Sequence, residues 1–158
     1  MPQAPSGFSE GGDAARAFEV LIIDDDAIDV MIIKRALAKS EFPISLQIAD
    51  HGEDALRLLR REGPFVDARQ PQLILLDLNL PTMDGLRFLE QFRSDSTLDQ
   101  VPVVVITASE DPVALKQAYT AGANSVVTKI TSRDGMENLL TSIADYWFKT
   151  SSVFYLDL

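Results

Sequence analysis

"LILLDLNLPTMDG", residues 73–85, sets an aspartate at the end of an unbroken apolar run and follows it with an Asn-Leu-Pro turn. Leu73, Ile74, Leu75 and Leu76 are not interrupted by polar residues, as expected of a strand buried on both faces. Asp77 has no neighbour in sequence that balances its charge. An ionised carboxylate gains nothing from apolar surroundings unless something else holds it. Pro81 and Gly85 bracket a tight turn, and helical spacing resumes with Leu86, Phe88, Leu89 and Phe92. The segment predicts a strand that delivers a carboxylate to a turn, with a helix behind it.

Working outward, four more apolar runs occur at fairly even spacing: "EVLII" (19–23), "ISLQIA" (44–49), "VPVVVIT" (101–107) and "SVVTK" (125–129). With 73–78 they make five strands. Helical spacing fills the gaps. Ile28, Ile32 and Ala36, with Ile33 and Leu37, make one face of a first helix, and Ala55, Leu58, Leu59 and Glu62 outline a second. The third opens at "MDG". Asp111 followed by Pro112 is a good N-cap and first-turn pair for a fourth, which Gly122 closes. A fifth runs from about Arg133 to Phe148. Five strand-helix alternations predict a parallel sheet with helices on both faces. These elements occupy one domain over residues 18–149, after a Gly-, Pro- and Ser-containing leader (1–17) read as flexible and before an apolar tail (150–158).

The composition narrows the function. Of 158 residues, 46% are hydrophobic, which suits a globular core; 24 acidic against 14 basic residues leave a net charge of −10. So acidic a surface is a poor match for phosphate backbones or anionic lipid, so no nucleic-acid or membrane binding is expected. The absence of cysteine excludes disulfides and thiolate chemistry and is compatible with the cytoplasm. No apolar run approaches the roughly 20 residues needed to span a bilayer, and the first residues lack the pattern of a signal peptide.

In an open parallel sheet, functional groups gather outside the carboxyl ends of the strands. Strand one ends in Asp24, Asp25 and Asp26, strand three in Asp77, strand four in Thr107 and strand five in Lys129. Clustered carboxylates repel one another and need counter-charge. Mg²⁺, which takes oxygen ligands from one or two carboxylates, would with Lys129 balance Asp24, Asp25 and Asp77. A carboxylate so placed can act as a nucleophile towards phosphorus, with Lys129 and the Thr107 hydroxyl stabilising the transferring group. Each residue alone has a plainer explanation. An acidic triplet after a strand caps a helix, which is all that is expected of Asp26, and a lone strand-end threonine or lysine is ordinary. Their joint position on one edge is what argues for a site.

"LIIDDD", "LLDLNLPTMDG", "VVVITA" and "VVTK" together resemble the receiver domain of two-component response regulators, in order and separation, over about residues 18–148. The resemblance implies a flavodoxin-like fold of five parallel strands and five helices. It implies Asp77 as the phosphoacceptor, Asp24 and Asp25 as the metal-binding acidic pair, and the Asn79 backbone carbonyl as a further ligand. Thr107 matches the switch hydroxyl, Ala108 the small residue after it, and Lys129 the lysine that pairs with the phosphoryl group. The cofactor implied is Mg²⁺, with Mn²⁺ or Ca²⁺ as substitutes, and the partner is a sensor histidine kinase. "LDLNLP", "YTAGANS" and "DYWF" (145–148) are similar to the stand-alone receivers of bacterial phytochrome kinases. Two departures are visible: Ile130 stands where receivers usually have proline, and Val126 where an aromatic switch residue often sits.

The implied function is a phosphoacceptor switch, not an enzyme, signalling through its own surface or by phosphorelay. Three other readings stay open. A degenerate receiver acting as a scaffold would keep the fold alone. A haloacid-dehalogenase-like phosphatase needs an aspartate two residues after the nucleophile, where this chain has Asn79, and a flavodoxin needs a phosphate-binding loop where strand one ends in acid. Finally, Val153, Phe154, Tyr155 and Leu156 are four large apolar residues in a row. Burying one such side chain stabilises by roughly 1.5–3 kcal/mol. With Tyr146, Trp147 and Phe148 they predict a homodimer in which each tail packs on the partner subunit.

Overall fold

The computed structural model describes residues 17–98 and 100–150. The tail residues Val153, Phe154, Tyr155 and Leu156, and the leader up to residue 16, lie outside the described residues. In chain order the elements are β1 (Phe18–Ile23), α1 (Ala27–Ala38), β2 (Ile44–Ala49), α2 (Gly52–Arg60), β3 (Leu73–Leu76), α3 (Gly85–Ser94), β4 (Val103–Thr107), α4 (Pro112–Ala121), β5 (Ser125–Thr128) and α5 (Arg133–Asp145). All strand pairs are parallel, in the order β2-β1-β3-β4-β5, which is the flavodoxin-like arrangement.

Period-two alternation sorts the strand side chains between two helical layers. Leu21, Ile23, Ile74, Leu76, Val103 and Val105 face Leu56, Leu59, Phe88, Leu89, Phe92 and Ala118 of α2, α3 and α4. Val20, Ile22, Leu73, Leu75, Val104 and Ile106 face Ile33 and Leu37 of α1 and Leu140 and Ile143 of α5. The central strands are therefore buried on both sides, which is why their sequence reads as continuous apolar runs.

Helix ends follow local chemistry. The side chains of Asp26, Asp84, Asp111 and Ser132 accept hydrogen bonds from first-turn N–H groups of α1, α3, α4 and α5. Gly122 closes α4 in the left-handed region, at φ 119°. Two expectations shift. Ile28 was assigned to the buried face of α1 but is 64% exposed, because the core-facing stripe is Ile33, Ala36 and Leu37. The second helix stops at Arg60, since Arg61 turns left-handed (φ 57°) with no glycine to announce it.

The carboxyl end of α5 departs from a regular α-helix. After Asp145 the chain continues as a wider π-helical turn, Tyr146–Thr150. That turn swings Phe148 onto Phe18 of β1, with ring centroids 4.3 Å apart and planes 22° from parallel. Phe148 is thus buried against its own core. Trp147 packs, half-buried, against the same cluster, and of the three aromatics only Tyr146 is exposed.

Candidate acidic site at the carboxyl edge of the sheet

Because all five strands point the same way, their carboxyl ends bring Asp24, Asp77, Thr107 and Lys129 to one edge. The backbone fixes them there. Asp77 N–H donates to the Ile23 carbonyl (2.9 Å), Asp24 N–H to Ala49 (3.1 Å) and Lys129 N–H to Thr107 (2.7 Å). The turn after Asp77 is held from behind by Gly85, whose N–H donates to the Leu78 carbonyl at 2.9 Å. A Cβ at Gly85 would lie 2.6 Å from Leu78 Cα and 2.8 Å from the Asp77 carbonyl oxygen, so only glycine allows this approach.

Asp77 is 6% exposed. One of its carboxylate oxygens accepts the Asn79 N–H (3.1 Å), and the other lies 3.3 Å from Lys129 Nζ. Lys129 makes a shorter bond, 2.6 Å, to Asp29 on the first turn of α1. Burial works against the Lys129 ammonium, but the Asp29 hydrogen bond and the charges of Asp77, Asp24 and Asp29 outweigh it and raise its pKa above the ordinary lysine value. Thr107 is fully buried and its hydroxyl oxygen accepts the Ser109 N–H (3.2 Å), while Ala108 beside it is exposed.

Asp24 is 4% exposed, and burial is the main force that pushes its pKa from 3.8 to about 7. Its hydrogen bond from the Asp26 N–H (2.9 Å) opposes the rise, Asp77 adds to it, Lys129 opposes it and Asp29 adds again. Oxygens of Asp24, Asp29 and Asp77 all lie within 4.8 Å of one another. Three carboxylates face one ammonium, and the donors are hard oxygens, so the residues present fit a divalent cation such as Mg²⁺.

Asp29 was missed in the sequence. It sits on the third residue of a helix that starts directly after strand one, and side chains there lean back towards the helix start, which brings its carboxylate to the edge. Asp25 is exposed and is not among the three clustered carboxylates; Asn79 is exposed as well. Asp26 is the N-cap of α1, as expected. His51 precedes α2 with Nδ1 at 2.8 Å from Asp50 and 3.2 Å from Asp54. No cis peptide bond occurs among the described residues, the Lys129–Ile130 link included, and no described helix is long and apolar enough to cross a membrane.

Comparison with known proteins agrees with this arrangement. The family model of the response regulator receiver domain matches residues 20–141. Response regulator Rcp1 of Synechocystis is 29% identical over 131 residues, covering 83% of this chain and 89% of Rcp1. The crystal structure of the phosphorylated cyanobacterial phytochrome response regulator RcpA superposes with a TM-score of 0.84 at 32% identity, over 87% of this chain and 98% of that one. The Mn²⁺-bound form of Rcp1 superposes with a TM-score of 0.82 at 28% identity, over 87% and 99% of the two chains. With the family model covering most of its length, the chain belongs to the response regulator receiver domain family.

Proposed function

We propose that this protein is a phosphoacceptor switch of a two-component system in the cytoplasm, taking a phosphoryl group from a sensor histidine kinase of the phytochrome class onto Asp77. The observation that carries the reading is the placement of Asp77: a buried carboxylate at the sheet edge, 3.3 Å from Lys129 and clustered with Asp24 and Asp29. A carboxylate oxygen of Asp77 attacks phosphorus, an O–P bond forms, and the P–N bond of the phosphohistidine breaks with its electron pair leaving on the imidazole. Lys129 and the Thr107 hydroxyl stand on the same edge to stabilise the phosphoryl oxygens. Asp24, Asp25 and Asp77, with the Asn79 carbonyl, would hold Mg²⁺, for which Mn²⁺ or Ca²⁺ can substitute. When bound, such an ion supplies positive charge beside the transferring oxygens. The protein acts on no other substrate, and its chemistry is confined to gaining and losing its own phosphoryl group.

The kinase assignment rests on relatives that are themselves phytochrome response regulators. Exposed apolar side chains on α1 and after Lys129 support a protein partner: Ile28 is 64% exposed, Met31 47% and Ile130 45%. Incubation with acetyl phosphate, read by intact mass, tests the central claim. The wild-type chain should gain one phosphoryl group only when Mg²⁺ is present, and Asp77→Asn should gain none. Stoichiometric labelling of Asp77→Asn would refute the assignment.

A further inference from the structure

Asp29 stands in the first turn of α1, where an acidic side chain commonly serves the helix start, through the dipole or by reaching back to the N-cap N–H. Here that N–H, on Asp26, already donates to the Asp24 carboxylate at 2.9 Å. The Asp26 side chain in turn accepts the N–H groups of Ile28 (2.8 Å) and Asp29 (3.3 Å), which fixes the backbone of the turn. The Asp29 carboxylate is not needed for capping, and it crosses to the end of β5. There it lies 2.6 Å from Lys129 Nζ, whereas Asp77 lies 3.3 Å from the same atom. The pair is sheltered, with the Lys129 side chain 21% and the Asp29 side chain 28% exposed. It is therefore not the fully solvated kind of ion pair that contributes little.

A phosphoryl group on Asp77 would bring about −1.5 to −2 of charge to this edge. Oxygens of Asp77 and Asp29 already lie within 4.8 Å of each other. Lys129 is the cation at hand to answer the added charge, and it is drawn towards Asp29. We propose that Asp29 is a rival acceptor for Lys129, holding the ammonium back from the phosphoryl group and so limiting how fully Asp77 is occupied. The inference rests on Asp77 being the phosphoacceptor, as proposed above, and adds a residue that regulates that site. Asp29 opposes the occupied state in two ways. Its bond to Lys129 must lengthen or break when the ammonium turns to the phosphoryl oxygens, and its own negative charge faces those oxygens. Asp29 is thus a positioning residue that acts through Lys129.

The test titrates the full chain with beryllofluoride, a phosphoryl mimic that binds an aspartate carboxylate, at saturating Mg²⁺, followed by fluorine NMR or calorimetry. Asp29→Asn should bind it about tenfold more tightly than wild type, and Asp29→Ala, which leaves Lys129 no oxygen at that position, at least as tightly. In a Lys129→Met background only the repulsion remains, so the gain from Asp29→Asn should shrink to about threefold or less. The phosphoryl group is only partly seated in the transition state, so the rate of labelling by acetyl phosphate should move by no more than about threefold. Equal or weaker beryllofluoride binding by both Asp29 variants overturns the proposal and makes Asp29 a support for Lys129. So does a gain of the same size with and without Lys129, which would leave repulsion as the whole effect. A wild-type chain that takes up no beryllofluoride refutes the phosphoacceptor reading itself, and the two failures are thereby told apart.

Discussion

Asp24→Asn should make the metal-free protein more stable at neutral and alkaline pH. The Asp24 carboxyl has its pKa raised by burial from 3.8 to about 7. Between those two values the folded protein keeps a proton that the unfolded chain releases, so stability falls as pH rises through the interval. The stabilisation relative to the ionised state is fully present below about 3.8 and gone above about 7. A displacement of that size corresponds to roughly 4 kcal/mol between the protonation states. Asparagine cannot ionise, and its oxygen can still accept the Asp26 N–H bond. Relaxation around a carboxylate recovers part of the cost, so the variant should exceed wild type by about 2–4 kcal/mol at pH 8 in EDTA, a rise of roughly 5–12 °C in Tm. At pH 4 the difference should vanish, because a protonated aspartic acid and an asparagine are both neutral; other carboxylates titrate in both proteins and cancel. Mg²⁺ should then raise the wild type, by about 1.4 kcal/mol at ten times its Kd, and leave the variant unmoved. Urea or thermal melts at pH 4, 6 and 8 give all three comparisons. A variant less stable than wild type at pH 8 in EDTA, or a gap that does not change with pH, would refute the account of Asp24 as a carboxylate kept in waiting for a cation.

Three further outcomes follow from the site's geometry. Asp25→Asn should lower Mg²⁺-dependent labelling by acetyl phosphate by about tenfold or more, while Asp29→Asn, whose carboxylate is committed to Lys129 at 2.6 Å, should leave it within about threefold; the reverse order would make Asp29 the ligand. Gly85→Ala forces a Cβ to 2.6 Å from Leu78 Cα, so the backbone behind Asp77 must move: a loss of about 1–3 kcal/mol in urea melts is expected, with slower labelling, and unchanged values for both would show that the turn is compliant. Ile28→Ser combined with Met31→Ser removes exposed apolar surface and should reduce phosphotransfer from the cognate kinase by about tenfold while leaving acetyl-phosphate labelling and Tm unchanged, whereas equal loss with both donors would mean that the patch serves the site itself.

The elements that could be read in the sequence are those whose surroundings impose a pattern. Leu73–Leu76 and Val103–Thr107 read as strands because a central parallel strand is apolar on both faces. Asp24, Asp77, Thr107 and Lys129 read as a set because parallel strands must end on one edge. Boundaries were less legible. The fourth strand starts at Val103 rather than Val101, because Pro102 has no N–H for the ladder, although Val101 is buried all the same. Asp29 was hidden for a different reason. In the sequence it is one more acid in a helix's first turn, a position that dipole and capping already explain, and only the packing of α1 beside β5's end brings it to Lys129.

Phe148 marks a further boundary on what apolar character can tell. The hydrophobic effect has no direction, so an apolar run states that a residue will be buried and does not state against what. For Leu75 or Phe88 the question does not arise, since a residue in mid-domain meets its own core. Near the end of the last helix it does. There the answer came from backbone geometry, a π turn that rotates Phe148 inward to Phe18 and carries Lys149 towards Glu41. Ile28, Met31 and Ile130 remain exposed, and Ile28 and Ile130 adjoin Asp29 and Lys129 in the chain. Phe148→Ala should lower stability by about 3–5 kcal/mol in urea melts, and an unchanged melt would show that the ring's burial against Phe18 adds nothing.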